Sequence, residues 1–472
     1  MGNVLTEYFR CGGSVDLQVP SRLSQEAGYF RFGSDIVCYG RSATGYRSQK
    51  PDAPLYDVSA DVRVRGTMVQ LPFDPSEVVT NLRQERYTRS DAQVHASMAG
   101  LVRNAYYLVR PLLSVPVRKQ LQRVRLRGWR NLTFPRWPVD TSVDTILQRL
   151  MVLALKARRQ DTIPFVWFWP NQMNGCAIVT HDVETQLGVD HSSRLMDLND
   201  SFAIPASFQV VPEERYPVSD RYLHSIRDRG FEVNVQDLNH DGHLYRERAE
   251  FERRVVKINR YRKEYGAAGF RSGVLYRNQE WFHLLDFDYD SSVPNVAHLD
   301  PQRGGSCTVM PYFIGNLLEL PVTMTQDYSL FHILNSHSLQ LWQQQIDMIL
   351  QQHGLINVIV HPDYITGAQE EDTYKKLLAM LDRIRREQKV WVALPRDVSS
   401  WWRQRSQMQV VQRAGEWTVE GPGSERACVA FARLKGGSLS YTFSTDRTVS
   451  ETYLAGDSEQ LCERLGNIGA DL

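Results

Sequence analysis

Residues 175–184 read Gly-Cys-Ala-Ile-Val-Thr-His-Asp-Val-Glu. The first six form a short apolar run with branched side chains and no strict alternation, the pattern of a strand buried on both faces. Polar residues follow at once, with His181, Asp182 and Glu184 closing the run. Polar groups at the C-terminal end of a buried parallel strand are where α/β enzymes gather their sites. Asp182 and Glu184 stand two apart, so in extended backbone both carboxylates face one side. One can then hold a metal while the other acts as base. A solvated acidic turn would carry the same residues, so the neighbouring segments have to decide.

Comparable runs lie at 202–210, 231–235, 315–320 and 356–360. Helical patterns separate or follow them at 220–229, 244–265, 280–285, 336–352 and 370–387. Strands alternating with helices predict an α/β unit, a barrel or an open sheet, over residues 151–403. The flanks read differently. Over 1–150 the pattern is α+β: a strand near 35–39, a hairpin or meander over 55–71, a helix starting at Asp74-Pro75, and further helix over 92–110. Residues 404–472 alternate around Gly421-Pro422-Gly423 and Gly436-Gly437, which predicts a small β module. The adjacent Trp401 and Trp402 are expected to pack rather than to stack on a ligand.

The composition narrows the function classes. The chain has 472 residues, 55 Lys+Arg against 54 Asp+Glu and a net charge of +1. That balance supplies no global field for a polyanion, and no nucleic-acid partner is expected. The 42% hydrophobic and 23% charged fractions are those of a globular chain. Cys11, Cys38, Cys176, Cys307, Cys428 and Cys462 are scattered without a CxxC pair, so neither a zinc knuckle nor a disulfide scaffold is indicated. The first residues lack a basic stretch followed by an apolar one, and no run reaches membrane-spanning length, so a cytoplasmic location is expected. The basic stretch over 117–127 reads as a solvated helix face, with contact to anionic lipid at a membrane surface, to nucleic acid or to an acidic partner as the other readings.

Two further polar clusters follow strand-like runs. Asn234-Val-Gln236-Asp237-Leu-Asn239-His240-Asp241-Gly-His243 offers imidazole and carboxylate donors for Zn²⁺ or a similar ion, or else a capped surface loop. Val360-His361-Pro362-Asp363-Tyr364 places an imidazole at a strand end, where its ordinary pKa suits proton transfer near neutral pH. Arg271 lies in Gly269-Phe-Arg-Ser, and Asp290 closes the run Asp286-Phe-Asp288-Tyr-Asp290.

As an ordered set, these clusters over residues 175–364 resemble the polysaccharide deacetylase (NodB-like, carbohydrate esterase) superfamily, in a member with an N-terminal extension. The resemblance implies a distorted (β/α)7 barrel. It implies Asp182 as catalytic base, Arg271 as the cation that orients it, His361 as general acid and Asp290 as the residue in the region that supplies the partner of His361. Glu184 and His240 match metal ligands. The first metal histidine of the family is replaced by Gln236, and His243 is the candidate to compensate.

On this reading the chain is a hydrolase that removes an N- or O-acyl group, acetyl foremost, from a carbohydrate or glycan intermediate. A divalent metal, Zn²⁺ foremost, would be held by Glu184 and His240 with Gln236 or His243. Tyr276, Asp363 and Tyr364 are the substrate-binding candidates, and a backbone N–H near Tyr276 is the candidate for receiving the oxyanion. The alternative is a catalytically silent deacetylase-like domain that binds carbohydrate or serves as a scaffold.

Overall fold

The structure is a computed structural model and describes residues 3–11, 16–44, 48–88, 126 and 128–443. The chain groups into two compact units: Met1–Tyr87 with Thr141–Gln172 and Trp401–Leu472, and Thr88–Asp140 with Met173–Ser400. Residues 151–172 and the chain from 401 onward thus group with the N-terminal residues, whereas the sequence reading draws its boundaries at 150 and 403. The helix expected over 92–110 and, apart from Leu126, the basic stretch over 117–127 lie outside the described residues.

The first unit opens with a short helix, Val4–Phe9, and β1 (Asp16–Gln18). The strands β2 (Gly28–Arg31) and β3 (Val37–Gly40) form an antiparallel pair. β4 (Arg63–Arg65) and β5 (Met68–Gln70) form the hairpin expected over 55–71, and β1 adds to β5 in parallel. The Pro75–Arg83 helix begins where Asp74-Pro75 predicts. Asp74 Oδ1 accepts the backbone N–H groups of Ser76 (2.8 Å) and Glu77 (3.3 Å), satisfying donors that the first turn leaves open. The Ser142–Arg158 helix has no counterpart in the sequence reading. It is buried around most of its circumference, so it lacks the one-sided apolar stripe by which a helix is recognised. It leads into β6 (Thr162–Val166).

The second unit carries a nine-stranded sheet. Its strands are β7 (Gly175–Val183), β8 (Ala206–Val210), β9 (Glu232–Gln236), β10 (Gly269–Arg271), β11 (Tyr289–Asp290), β12 (Tyr312–Ile314), β13 (Leu317–Glu319), β14 (Leu355–Val360) and β15 (Val390–Val392). The spatial order is β12-β13-β11-β10-β9-β8-β7-β14, with β15 also paired to β7. Every pairing is parallel except β12 with β13. The fold is therefore mixed α/β with an open, curled sheet, and each apolar run singled out in this region contains a strand.

Residues 322–325 run from the β13 edge toward β14 through isolated hydrogen bonds rather than a ladder: Thr323 Oγ1 donates to Leu355 O (2.7 Å) and Met324 N to Asn357 O (3.1 Å). Helices Gln186–Ser201, Asp220–Arg227, Arg248–Glu264, Gln340–Gln351 and Ala368–Glu387 complete the unit. The core forms where Val179, Phe208, Val210, Val233, Val235, Ile356 and Val358 meet helical residues such as Leu195, Ile226, Ile346, Leu377 and Leu381. Burying each such side chain contributes roughly 1.5–3 kcal/mol, which is what selects these runs as strand interiors.

The first unit resumes with the antiparallel strands expected of the tail. β16 (Gln409–Arg413) pairs with β17 (Glu416–Glu420). β18 (Val429–Lys435) pairs with β19 (Ser438–Phe443) and, on its other side, with β6, so the tail is stitched into a sheet with residues 162–166. Trp401 and Trp402 pack, as expected. Trp401 Nε1 donates to Phe168 O (2.8 Å), and the Trp402 ring lies 5.4 Å from that of Trp169.

Candidate active site

The strand alternation of β7 sorts its polar residues. His181 turns toward the helices, its ring 4.7 Å from Phe208 and its Nδ1 3.2 Å from Val360 O. Burial pushes its pKa down to about 4, so it is a neutral core residue. Asp182 turns the other way. Its Oδ1 lies 3.6 Å from Arg271 Nη1, and its Oδ2 accepts from Gln236 Nε2 (3.2 Å). Arg271, at the end of β10, is fully buried and is held by Thr180 Oγ1 (3.0 Å) and Ser291 Oγ (3.3 Å). Burial raises the Asp182 pKa, and Arg271 only partly offsets it.

Glu184 is fixed through its backbone. Its N–H donates to Asp363 Oδ2 (3.1 Å) and its carbonyl accepts from Arg215 Nε (2.9 Å). Asp363 also takes the Thr185 hydroxyl, so this carboxylate clamps the β7 loop; the structure gives it a positioning contact where the sequence reading expects a substrate contact. The Glu184 side chain meets two imidazoles at one oxygen, with Oε1 2.9 Å from His240 Nε2 and 3.6 Å from His361 Nε2. Burial opposes its ionisation, yet the two facing imidazoles outweigh burial and hold its carboxyl well below the usual range.

The loop after β9 delivers His240. Asp237 and His240 both adopt left-handed backbone (φ 54° and 53°), which folds the loop sharply after the strand. Gly273 lies against this loop, and a Cβ there would stand 2.5 Å from Asp237 Oδ2 and 3.0 Å from His240 Cδ2. His243 does not join the site; it is half-exposed, with Nδ1 3.6 Å from Asp241 Oδ2. After β10, Val274 and Leu275 are also left-handed (φ 61° and 53°), a costly conformation for a β-branched residue and one that concentrates at functional sites. The Tyr276 N–H in this turn donates to Gly273 O (3.2 Å), so an oxyanion donor in this region would have to be a neighbouring N–H.

His361 closes β14. Its Nδ1 lies 2.6 Å from Asp327 Oδ1, and its backbone N–H donates to Asp327 Oδ2 (2.7 Å). Burial would lower the His361 pKa, but Asp327 and Glu184 outweigh it and hold the imidazole well above its ordinary value. Asp327 thus takes the place that the sequence reading gave to the region of Asp290. β11 does come beside β14, where Asn357 Nδ2 donates to Ser291 Oγ (2.8 Å), but the His361 ring is taken by Asp327. Asp290 instead accepts the Ser292 N–H (2.9 Å) and hydroxyl (2.8 Å) and faces Glu319. Burial first, and then the neighbouring Asp290, push Glu319 well above the carboxylate range.

Sequence reasoning missed Asp327 because it sits on the irregular segment beyond β13, where no periodic pattern marks a strand end. Of the aromatic wall beside His361 it named Tyr364 but missed Tyr328 and His332. The Tyr364 ring lies 4.9 Å from His361, 5.4 Å from Tyr328 and 5.2 Å from His332.

The cleft is polar and incompletely satisfied. Asp182 Oδ1, Gln236 Oε1 and both ring nitrogens of His240 are buried without a well-aimed hydrogen-bond partner. The 2.9 Å approach of His240 Nε2 to Glu184 is an ion-pair contact whose N–H is not directed along it. Such atoms suit a reacting water and a polar substrate group.

They do not make a catalytic metal centre, which ordinarily takes three protein ligands. Among the described residues no group of three or more His, Cys, Asp or Glu side chains is arranged to hold an ion. Gln236 offers a neutral amide oxygen, because its Nε2 donates to Asp182. His243 is turned to Asp241, which leaves one imidazole and one carboxylate that already contact each other. The set expected from the sequence does not fit a divalent ion.

No protein-family model matches the chain, and no curated protein sequence matches it. Solved structures do. A Mycobacterium smegmatis protein assigned as a polysaccharide deacetylase aligns with 50% of this chain and 93% of its own, at 18% identity and a TM-score of 0.41. The chain is similar to polysaccharide deacetylases. A Pseudomonas aeruginosa protein with the same assignment aligns at 14% identity and a TM-score of 0.39, over 50% and 92% of the two chains. A variant of the peptidoglycan deacetylase PdaC from Bacillus subtilis aligns at 10% identity and 0.31, over 49% and 93%. At these identities the likeness concerns the fold, and the chemistry has to come from the side chains. Among the described residues no helix is long and apolar enough to cross a membrane.

Proposed function

We propose that the 173–400 unit, read as a distorted (β/α)7 barrel, is a carbohydrate deacetylase-like hydrolase that removes an N- or O-acyl group. Asp182 is its base and His361 its acid. The observation that carries this reading is that both groups are buried and close enough to act on each other electrostatically, each oriented by its own partner: Asp182 by Arg271 and His361 by Asp327. Asp182 takes a proton from water as the water oxygen bonds to the acyl carbon. The bond from that carbon to nitrogen or oxygen then breaks, and His361 Nε2 gives its proton to the leaving amine or alcohol. The raised pKa values support these roles, since a weakly acidic carboxyl is a better base and a raised imidazole remains charged at neutral pH. The half-buried Tyr364 ring lies beside His361 and Tyr328 lies beside Tyr364, an aromatic surface on which the apolar face of a sugar ring would lie.

The test is acetate release from a panel of N- and O-acetylated saccharides by the full chain and by Asp182→Asn and His361→Gln. Turnover by the parent, lost in both variants while the fold persists by circular dichroism, is the expected result. Absence of turnover throughout the panel would remove the hydrolase reading. The second reading, a silent carbohydrate-binding domain, is favoured by the amide at position 236, and it predicts saccharide binding that both substitutions leave intact.

A further inference from the structure

We propose that this cleft works without a divalent ion, the His240 imidazole being seated on Glu184 where a metal would otherwise neutralise that carboxylate. The inference concerns the cleft to which the hydrolase reading is assigned, but it rests on a separate set of contacts.

The Glu184 backbone is anchored on both sides. Its N–H is tied to Asp363 and its carbonyl to Arg215. Its Oε1 is approached by His240 Nε2 at 2.9 Å and by His361 Nε2 at 3.6 Å. Asp327 holds the far side of His361 at 2.6 Å. Carboxylate and imidazole therefore alternate along one chain of contacts, Asp327, His361, Glu184, His240. A dication held by Glu184 and His240 would meet only a neutral amide from position 236, and His243, turned to Asp241, brings no third imidazole. Gln236 has a different task in this arrangement. Its amide hydrogens point at Asp182, so the residue replaces a ligand with a donor to the base. The left-handed backbone at His240 and the close packing of Gly273 against the ring fix the imidazole in this place.

The experiment reads ion binding and melting rather than turnover, so it separates this inference from the hydrolase reading. The full chain is dialysed against excess Zn²⁺, Mn²⁺ or Co²⁺ and then against buffer, and its metal content is measured. Melting is followed with and without EDTA. The expected result is far less than one ion per chain and a melting temperature that neither ion nor chelator moves. His240→Gln is expected to lower the melting temperature of chelator-treated protein by several degrees, because Glu184 loses its partner. One ion per chain in the parent, absent from His240→Gln, would overturn the inference. So would a chelator-treated His240→Gln that melts like the parent. Uptake that His240→Gln leaves unchanged would place the ion outside the cleft and support it. Should His240→Gln fail to fold, the parent's metal content and its response to chelator decide the matter.

Discussion

Asp327 is the residue on which the proposed acid depends. It accepts from both the ring and the backbone of His361, so it sets the imidazole's orientation and raises its pKa. Asp327→Asn keeps the shape and removes the charge, and is expected to lower kcat by about 10²–10⁴-fold, the range for losing a positioned proton donor. The alkaline limb of the pH–rate profile should move to lower pH in this variant. In the parent, activity should rise as pH climbs through the Asp182 pKa and fall as it climbs through that of His361. Both limbs should be displaced upward from the free values of about 3.9 and about 6.5. The same sign governs stability. A histidine whose folded pKa is raised stabilises fully below its unfolded pKa, and that contribution is lost as pH rises through the folded value. Denaturant titration across neutral and alkaline pH should therefore show a decline that His361→Gln flattens.

At the scale of elements, two positions test how the sheet carries the cleft. Gly273, just past β10, has no room for a methyl group between Asp237 and His240. Gly273→Ala should cost about 1–3 kcal/mol by overpacking, and it should impair turnover while β10 itself persists. Calorimetry and kinetics on one preparation would show both effects. Ile356 in β14 is fully buried in the core between sheet and helices. Ile356→Ala should destabilise by about 2–5 kcal/mol in urea titration, with little change in KM, since its side chain lies away from the cleft. These elements also show what could be read in advance. β7, β9 and β14 were legible because a strand buried on both faces writes a compact apolar run. The bonds of residues 322–325 to β14 were not, because isolated hydrogen bonds impose no side-chain period.

Considered as a whole molecule, the chain returns to its first unit after residue 400. β18 pairs with β6 along Thr162–Val166, and Arg405, buried, donates to the carbonyls of Val166 (2.7 Å) and Trp167 (2.9 Å). A chain ending at residue 400 would strip β6 of its ladder with β18 and remove the Arg405 donor from those carbonyls. The expected outcome is rapid proteolysis of residues 1–87 and 141–172, with poor solubility, measured by limited proteolysis against the full chain. A truncated protein as protease-resistant as the parent would show that the pairing of β6 with β18 adds little. This grouping was not legible in the sequence. The tail's alternation announced antiparallel strands, but a pairing partner more than 240 residues away leaves no local trace.

The sequence by itself determined the α/β alternation and the polar strand ends, because burial period and polar strand ends are local properties, and the ordered resemblance singled out Asp182, Glu184, Arg271, His240 and His361 as the candidates. Only the tertiary structure decided which carboxylate serves His361, that Asp290 is paired with Glu319, that His243 stays outside, and that His240 rests on Glu184. Those outcomes follow from which strands neighbour one another in a curled sheet and from where two left-handed residues turn a loop, and neither is a function of nearby sequence alone.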